Sequence, residues 1–251
     1  MSSLKWSVQW CVTLMLILPL FTGCEACREK EGEGWTKAVD DPKADATAKA
    51  DTPAATEGGV KGLDLIPLKE RSIRIEFTEG ELKGMTVDVK IAEGEKGQWV
   101  ETAKDARILY YGDSDGSVVM GREEDFGEKV TITYEPAFVL MPKTLEAGKP
   151  FEGTTKMTVL NRGSGTKKAG GTCKYKVELV RQEKVTTPAG EFDAYLIQTT
   201  RDISLDLASV QVTVLTWHVP GQGMVASKVN QKTQALGLFG SEKVEAWKLA
   251  K

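Results

Sequence analysis

Few residues in this sequence are of the types that usually carry out catalysis. In 251 residues there are four cysteines and one histidine, His218. A single histidine excludes a metal site built on several imidazoles and leaves one candidate base for a Ser–His–Asp triad. His218 follows Trp217 in a run of β-type residues, where a histidine more often packs than reacts. We therefore predict no catalytic residue and no enzymatic activity; a hydrolase that uses His218 is the least favoured alternative.

An acidic segment has part of the spacing of a calcium-binding loop. Asp113 and Asp115, with Glu124 eleven residues after Asp113, match acidic positions of that loop. The glycine required at its sixth position is missing, and no helical pattern flanks the segment. The residues instead predict a hairpin turn at 113–116, followed by an acidic surface at 123–125. We predict no metal site and no cofactor.

The charge balance excludes one large class of partner. Lysine and arginine number 33 and aspartate and glutamate 36, for a net charge of −3. Without a basic excess to neutralise phosphates, we predict no nucleic-acid partner. Hydrophobic residues make up 41% of the chain and charged residues 27%, which is typical of a globular protein with a sizeable core.

The N-terminus has the pattern of a secretory signal peptide. Lys5 is the one charged residue before Cys24, and the apolar run 11–21 is shorter than the roughly 20 residues that a membrane-spanning helix needs. The ending Leu20-Phe-Thr-Gly-Cys24 resembles the lipobox of bacterial lipoproteins. The resemblance implies cleavage after residue 23 and covalent lipid on Cys24. An ordinary signal peptide and an uncleaved anchor remain the alternatives.

The lipobox resemblance also implies where the protein resides. A lipid on Cys24 would attach the chain to a membrane of the cell envelope, with the folded domain in the periplasm. Glu25, in place of aspartate, favours the outer membrane over the inner membrane. Residues 24–61 are rich in alanine, glycine, threonine and charged residues, which predicts a disordered linker with a span of roughly 30–35 Å.

Two cysteines remain once the signal peptide and Cys24 are set aside. Cys27 and Cys173 would meet an oxidising compartment, so a disulfide between them is one interpretation. The other is that Cys173 is a buried apolar residue, because it lies in phase with Tyr175 and Val177.

From residue 62 to residue 251 the pattern is that of a single antiparallel β domain. Apolar and polar residues alternate with period two, and turn residues separate the runs. The clearest runs are 72–77, 86–91, 130–134, 173–179 and 210–214, with 155–160, 194–200 and 243–249 less regular. The alternation slips toward Leu215 and Trp217, which predicts a bulge or a strand covered on both sides. Residues 98–107 leave helix or strand open. The predicted fold class is all-β, a long antiparallel meander curled into a half-barrel, barrel or sandwich.

Three segments of the second half resemble a known group of exported proteins. They are Tyr134-Glu-Pro followed by Leu145-Glu-Ala-Gly-Lys-Pro-Phe151, then 185–197 with its Pro-Ala-Gly turn, then 216–225 with Pro-Gly-Gln-Gly. Together, over about residues 130–230, they resemble uncharacterised β-rich periplasmic or lipoprotein domains, distantly similar to lipoprotein-carrier half-barrels. The resemblance implies a curved sheet with a concave apolar face, and it transfers no catalytic residue.

These observations favour a membrane-anchored envelope lipoprotein whose β domain binds an apolar ligand or a lipidated client without catalysis. The main alternative is a structural or interaction lipoprotein of an envelope assembly, without a small ligand. The first hypothesis predicts an apolar pocket. The second predicts a filled core with an exposed apolar patch or an open sheet edge.

Overall fold

The computed structural model describes residues 59–103, 107–235 and 239–251, without the side chain of residue 239. The predicted signal peptide 1–23, Cys24, Cys27 and nearly all of the predicted linker 24–61 lie outside the described residues. Cleavage, lipidation and the linker therefore stay predictions, as does a domain boundary at residue 62. The first described strand begins at Val60, two residues before that boundary.

Almost every element is a β-strand. In chain order the elements are β1 (Val60–Lys61), α1 (Gly62–Leu65), β2 (Arg71–Glu79), β3 (Thr86–Glu93), a 3₁₀ turn (Glu95–Gly97), β4 (Trp99–Ala103), β5 (Arg107–Ser114), β6 (Ser117–Asp125), β7 (Val130–Met141), β8 (Thr144–Leu145), β9 (Phe151–Asn161), β10 (Lys167–Thr187), β11 (Gly190–Leu205), β12 (Ala208–Val219), β13 (Gly223–Ala235) and β14 (Phe239–Leu249). The all-β prediction is confirmed.

Twelve of the strands close into an antiparallel barrel. Strands β2 to β7 and β9 to β14 pair with their neighbours along the chain, as the meander prediction requires. Pairing of β14 with β2, with Trp247 opposite Phe77, joins the two ends of the meander. Of the three predicted forms, the fold is therefore the barrel. Strands β1 and β8 form a separate two-stranded sheet.

Alternation along the strands places one face inside the barrel. On β10, Cys173 and Tyr175 are buried while Lys174, between them, is exposed. The register sets Cys173 opposite Ile203 and Tyr175 opposite Arg201, so buried residues of neighbouring strands face the same interior. Because the period is two, this register fixes which residues of the paired segments point inward, and each bulge resets the alternation beyond it.

The N-terminal segment crosses one end of the barrel. Helix α1 contacts β6 and β7 on one side and β12 and β13 on the other, which are almost opposite positions in the ring of strands. The Gly62 N–H donates to the Lys143 carbonyl at 3.0 Å, and the Gly221 N–H donates to the Asp64 carbonyl at 2.8 Å. Leu65 is fully buried and belongs to the main core. Val60–Leu65, which we call the plug, therefore closes this end.

At the same end, the long hairpin of β10 and β11 folds over the outer face. A bulge between Leu179 and Arg181 bends β10, and Lys248 donates to the Thr186 carbonyl at 2.9 Å. Phe192 of the hairpin and Trp217 of β12 belong to one hydrophobic cluster. The two sequence motifs at 185–197 and 216–225 therefore pack against each other.

Of the two interpretations of β12, the structure supports the strand that is covered on both sides, because Trp217 contacts the hairpin on the outer face while the alternation of inward residues is kept. The register between β12 and β13 shifts between Trp217 and His218. Trp217 donates from its indole N–H to Glu183 at 2.6 Å on the outer face, and His218 points to the interior. The shift leaves Val225 of β13 as the extra residue, whereas Val214, Thr216 and His218 of β12 all line the cavity in regular alternation.

Within the described ranges, helices are too short and too polar to cross a bilayer.

Candidate functional site

A cavity of about 130 Å³ lies inside the barrel. Of its 21 lining residues 13 are apolar, contributed by strands around the ring and by the segment that follows the plug. Representative apolar residues of the wall are Ile66, Ile73, Ile75, Ile91, Val214 and Trp247. The apolar pocket that the ligand-binding hypothesis requires is therefore present.

One buried guanidinium faces this cavity. Arg201 on β11 is 8% exposed, and its guanidinium carbon lies 4.5 Å from the centre of the Phe138 ring. Among the described residues, its Nε has no hydrogen-bond partner. The described arginines that form ion pairs within 4.0 Å are Arg74, Arg107, Arg122, Arg162 and Arg181, and Arg201 is not one of them. A buried cation in this position is costly unless something neutralises it.

A buried carboxyl group lies near this arginine. Glu123 on β6 is 3% exposed and accepts a hydrogen bond from the Tyr134 hydroxyl at 2.7 Å. Burial raises the pKa of Glu123 to about 7, although the Tyr134 hydrogen bond and the charge of Arg201 act in the opposite direction. Near neutral pH this carboxyl group is therefore only partly ionised, and it compensates Arg201 only in part.

Two further arginines stand on the cavity wall. Arg107 pairs with Glu101 at 3.3 Å, with both side chains largely buried. Arg71 donates to the Pro67 carbonyl at 2.6 Å. With Arg201 the wall carries three guanidinium groups and one carboxylate, a formal charge of two positive on a chain whose net charge is −3. The cavity wall is therefore mostly apolar with a net positive formal charge, while the carboxyl groups of Glu123, Asp125 and Glu245 are buried outside this wall.

His218 lines the cavity as a neutral side chain. It is 2% exposed, and its Nδ1 lies 2.9 Å from the Leu65 carbonyl oxygen, which requires Nδ1 to be the protonated donor. Burial lowers the pKa of His218 to about 4. Glu101 is the one carboxylate on the cavity wall, and it pairs with Arg107. Within the described chain, His218 thus bonds the plug and does not bond a carboxylate or a serine, as a triad would need.

The acidic segment is divided by the fold. A hairpin turn follows β5 as predicted: Asp115 lies in it, and Asp113, next to the last residue of β5, accepts a hydrogen bond from the Gly116 N–H at 2.7 Å. Glu124 lies at the other end of β6, so the calcium-loop spacing does not assemble a site. In the described ranges, groups of three or more His, Cys, Asp or Glu side chains placed to hold a metal ion are absent.

The predicted acidic surface at 123–125 is wrong for two of its three residues. A bulge at Gly121, which the registers with β5 and β7 both skip, shifts the alternation of β6 and turns Glu123 and Asp125 inward, where they are 3% and 8% exposed. Glu124 alone faces outward, and it accepts a hydrogen bond from Arg162 at 2.9 Å.

Cys173 lies inside the barrel and is 1% exposed. Burial raises the pKa of its thiol to about 11. Since Cys27 lies outside the described residues, the disulfide between them stays a prediction. The interpretation of Cys173 as a buried residue in phase with Tyr175 is confirmed.

The charged residues of the cavity were not anticipated from the sequence. The signal that could have revealed them is a charged side chain in phase with an apolar face. Arg201 lies two residues before Ile203 and four after Ile197, both of which are buried. Arg71 lies two residues before Ile73 and four before Ile75, in phase with both on β2.

Fold and site together define a closed antiparallel β-barrel with a mostly apolar cavity whose wall carries a net positive formal charge. Residues 122–237, from β6 to just beyond β13, match the family described as DUF3108-like. This match confirms the resemblance to β-rich domains of unknown function, which was expected over about residues 130–230. A search of curated proteins gives no match.

Two bacterial proteins are among the solved structures that are similar to this chain. One is the hypothetical lipoprotein YmcC from Escherichia coli, with 11% identity and a TM-score of 0.41, covering 74% of this chain and 90% of that one. The other is a provisionally designated lipoprotein from Parabacteroides distasonis, with 15% identity and a TM-score of 0.37, covering 74% of this chain and 96% of that one.

Proposed function

We propose that this protein is an envelope lipoprotein whose barrel binds a small apolar ligand without catalysis. The observation that carries the proposal is the cavity, with its 13 apolar lining residues. Transfer of an apolar ligand from water to such walls is favourable by about 25 cal/mol per Å² of apolar surface removed from water.

The size of the cavity limits the ligand. An engineered apolar cavity of about 150 Å³ binds benzene, whereas drug-sized ligands occupy pockets of about 300 Å³ or more. At about 130 Å³, this cavity encloses about six to eight non-hydrogen atoms. The acyl chain of a lipidated client would therefore enter by its terminal segment.

The proposal includes the anchor inferred from the sequence. Removal of residues 1–23 and lipidation of Cys24 would hold the barrel in the periplasm, with the outer membrane favoured. Two or more acyl chains would anchor it stably, since a single chain binds membranes only marginally.

The interaction hypothesis has less support. It requires an open sheet edge or an exposed apolar patch. Each of the twelve barrel strands has a paired neighbour on both sides, and single-sided pairing is confined to parts of strands, such as the β10 residues after Val177 and the β14 residues before Ala246. The large apolar side chains exposed in the described residues are Met85, Val180 and Leu207, which lie on three different elements or turns. Single exposed apolar residues of this kind are normal on soluble surfaces.

A cavity-filling variant tests the proposal. Val214→Phe adds volume to the cavity wall, while Val180→Phe makes the same change at a position that is 39% exposed. We expect benzene to shift the methyl NMR signals of Ile75 and Ile91 in the wild type and in Val180→Phe. The shifts should be lost in Val214→Phe. Signals that do not move in the wild type at saturating benzene would refute the proposal.

A further inference from the structure

An apolar ligand leaves the charge of Arg201 unexplained. More than nine-tenths of this side chain is buried, and its Nε has no hydrogen-bond partner among the described residues. The guanidinium lies over the Phe138 ring, and both residues line the cavity. A guanidinium stays protonated in proteins, so it cannot remove the cost of burial by becoming neutral.

We propose that the ligand carries a carboxylate and that Arg201 is its partner, an inference that rests on the proposed binding of a ligand in the cavity. The ligand class is a short aliphatic or aromatic monocarboxylate. Its tail would contact the apolar wall formed by residues such as Ile75 and Val214, and its head would pair with Arg201.

The geometry of Arg201 suits a carboxylate. The guanidinium carbon lies 4.5 Å from the centre of the Phe138 ring, and hydrogen-bond acceptors approach a guanidinium in its plane, along its N–H bonds. A carboxylate has two oxygens at the spacing of the guanidinium fork and forms two parallel hydrogen bonds with it. The Nε–H is one of the two donors for such a pair, and it has no other partner within the described chain.

The remaining charged groups leave this position open for a ligand. Glu101 is engaged by Arg107 at 3.3 Å, and Arg71 donates to the Pro67 carbonyl. Glu123 is held by the Tyr134 hydroxyl at 2.7 Å, and no ion pair within 4.0 Å joins it to Arg201. A monocarboxylate would bring one negative charge to a wall whose formal charge is two positive.

Four probes with the same tail test the head group. Hexanoate, 1-hexanol, hexylammonium and hexyl phosphate are titrated at pH 7.5 into the wild type, with dissociation constants measured from the methyl NMR shifts of cavity residues. We expect hexanoate to bind at least ten-fold more tightly than 1-hexanol, and hexylammonium to bind more weakly than either. Hexyl phosphate should not exceed hexanoate.

A variant then assigns the preference to one residue. Arg201→Met removes the charge and keeps an unbranched side chain, and Arg181→Met is the control on the exposed face of β10, where Arg181 pairs with Glu183. The preference for hexanoate over 1-hexanol should disappear in Arg201→Met and persist in Arg181→Met. The wild-type titrations decide the head group even if Arg201→Met does not fold.

The outcomes separate the two proposals. Binding of 1-hexanol as tight as that of hexanoate would overturn the carboxylate and leave the apolar ligand standing, as would tighter binding of hexyl phosphate. A hexanoate preference that survives in Arg201→Met would overturn the role of Arg201. If none of the four probes binds, the ligand-binding function itself fails.

Discussion

Replacement of Glu123 by glutamine changes how the stability of the barrel depends on pH. Glu123 is 3% exposed, and its carboxyl group accepts a hydrogen bond from Tyr134. Burial raises its pKa, and the charged groups that act on it are Arg201, Arg107 and Asp125. Glutamine keeps a carbonyl acceptor for the tyrosine hydroxyl and removes the ionisation, so Glu123→Gln isolates the cost of the buried charge.

The sign and size of the effect follow from the pKa shift. In the folded protein the carboxyl group ionises at a pKa of about 7, and in the unfolded chain near 4.5. Between these values the folded state binds the extra proton, so the wild type loses stability as pH rises. A shift of this size corresponds to about 3 kcal/mol. The stability of Glu123→Gln relative to the wild type should therefore increase by about 3 kcal/mol between pH 4.5 and pH 8.

Urea unfolding at a series of pH values measures this difference directly. The free energy of unfolding of each protein is obtained by linear extrapolation, and their difference is plotted against pH. We expect a curve that rises through pH 5 to 7 and levels off above about pH 7.5. A difference that is constant with pH would show that Glu123 ionises normally in the folded barrel, and the reasoning from burial would be refuted.

Two further predictions concern the histidine and the buried cysteine. Because burial lowers the pKa of His218 to about 4, from 6.5, the unfolded chain binds a proton that the folded state excludes, and acid destabilises the wild type. Between pH 7 and pH 4, the free energy of unfolding measured in urea should fall by about 3 kcal/mol less in His218→Gln than in the wild type. An equal fall in both proteins would contradict this. With its pKa raised to about 11, the Cys173 thiol should not react with a thiol reagent in the native protein at pH 8. After unfolding without reductant it should react, and continued protection would instead indicate the disulfide with Cys27.

The strands that the sequence predicts are those whose interior face is apolar. Residues 173–179 alternate cleanly because Cys173, Tyr175 and Val177 all face the core. Strand β6 went unpredicted because Glu123 and Asp125 occupy inward positions and break that alternation. Strand β13 shares this property through the inward Ser227 and Gln231, which are buried and polar. A strand with polar side chains at interior positions is therefore missed when strands are predicted from alternating apolar residues.

Closure of the barrel lies beyond local patterns for a different reason. The pairing of Trp247 with Phe77 joins residues that are 170 positions apart, and no periodicity within either strand specifies it. The cavity depends on this closure, since it is lined by β2 and β3 from one end of the chain and by β11 and β12 from the other. From the sequence, Arg201 could have been identified as a charged residue on an apolar strand face. The residues that face it across the cavity could not have been identified.

The position of the plug determines which contacts of the domain bear a pulling force first. Thirty-five residues separate Cys24 from Val60. A force applied through residue 59 therefore meets the two-residue pairing of Val60 with Leu145 before it meets any barrel strand. That pairing is short, and its hydrogen bonds bear the force before the longer rows of hydrogen bonds between strands β10 to β13 do. Since the Leu65 carbonyl holds His218 on the cavity wall, tension along the proposed lipid-anchored linker would reach the cavity while the barrel itself stays closed.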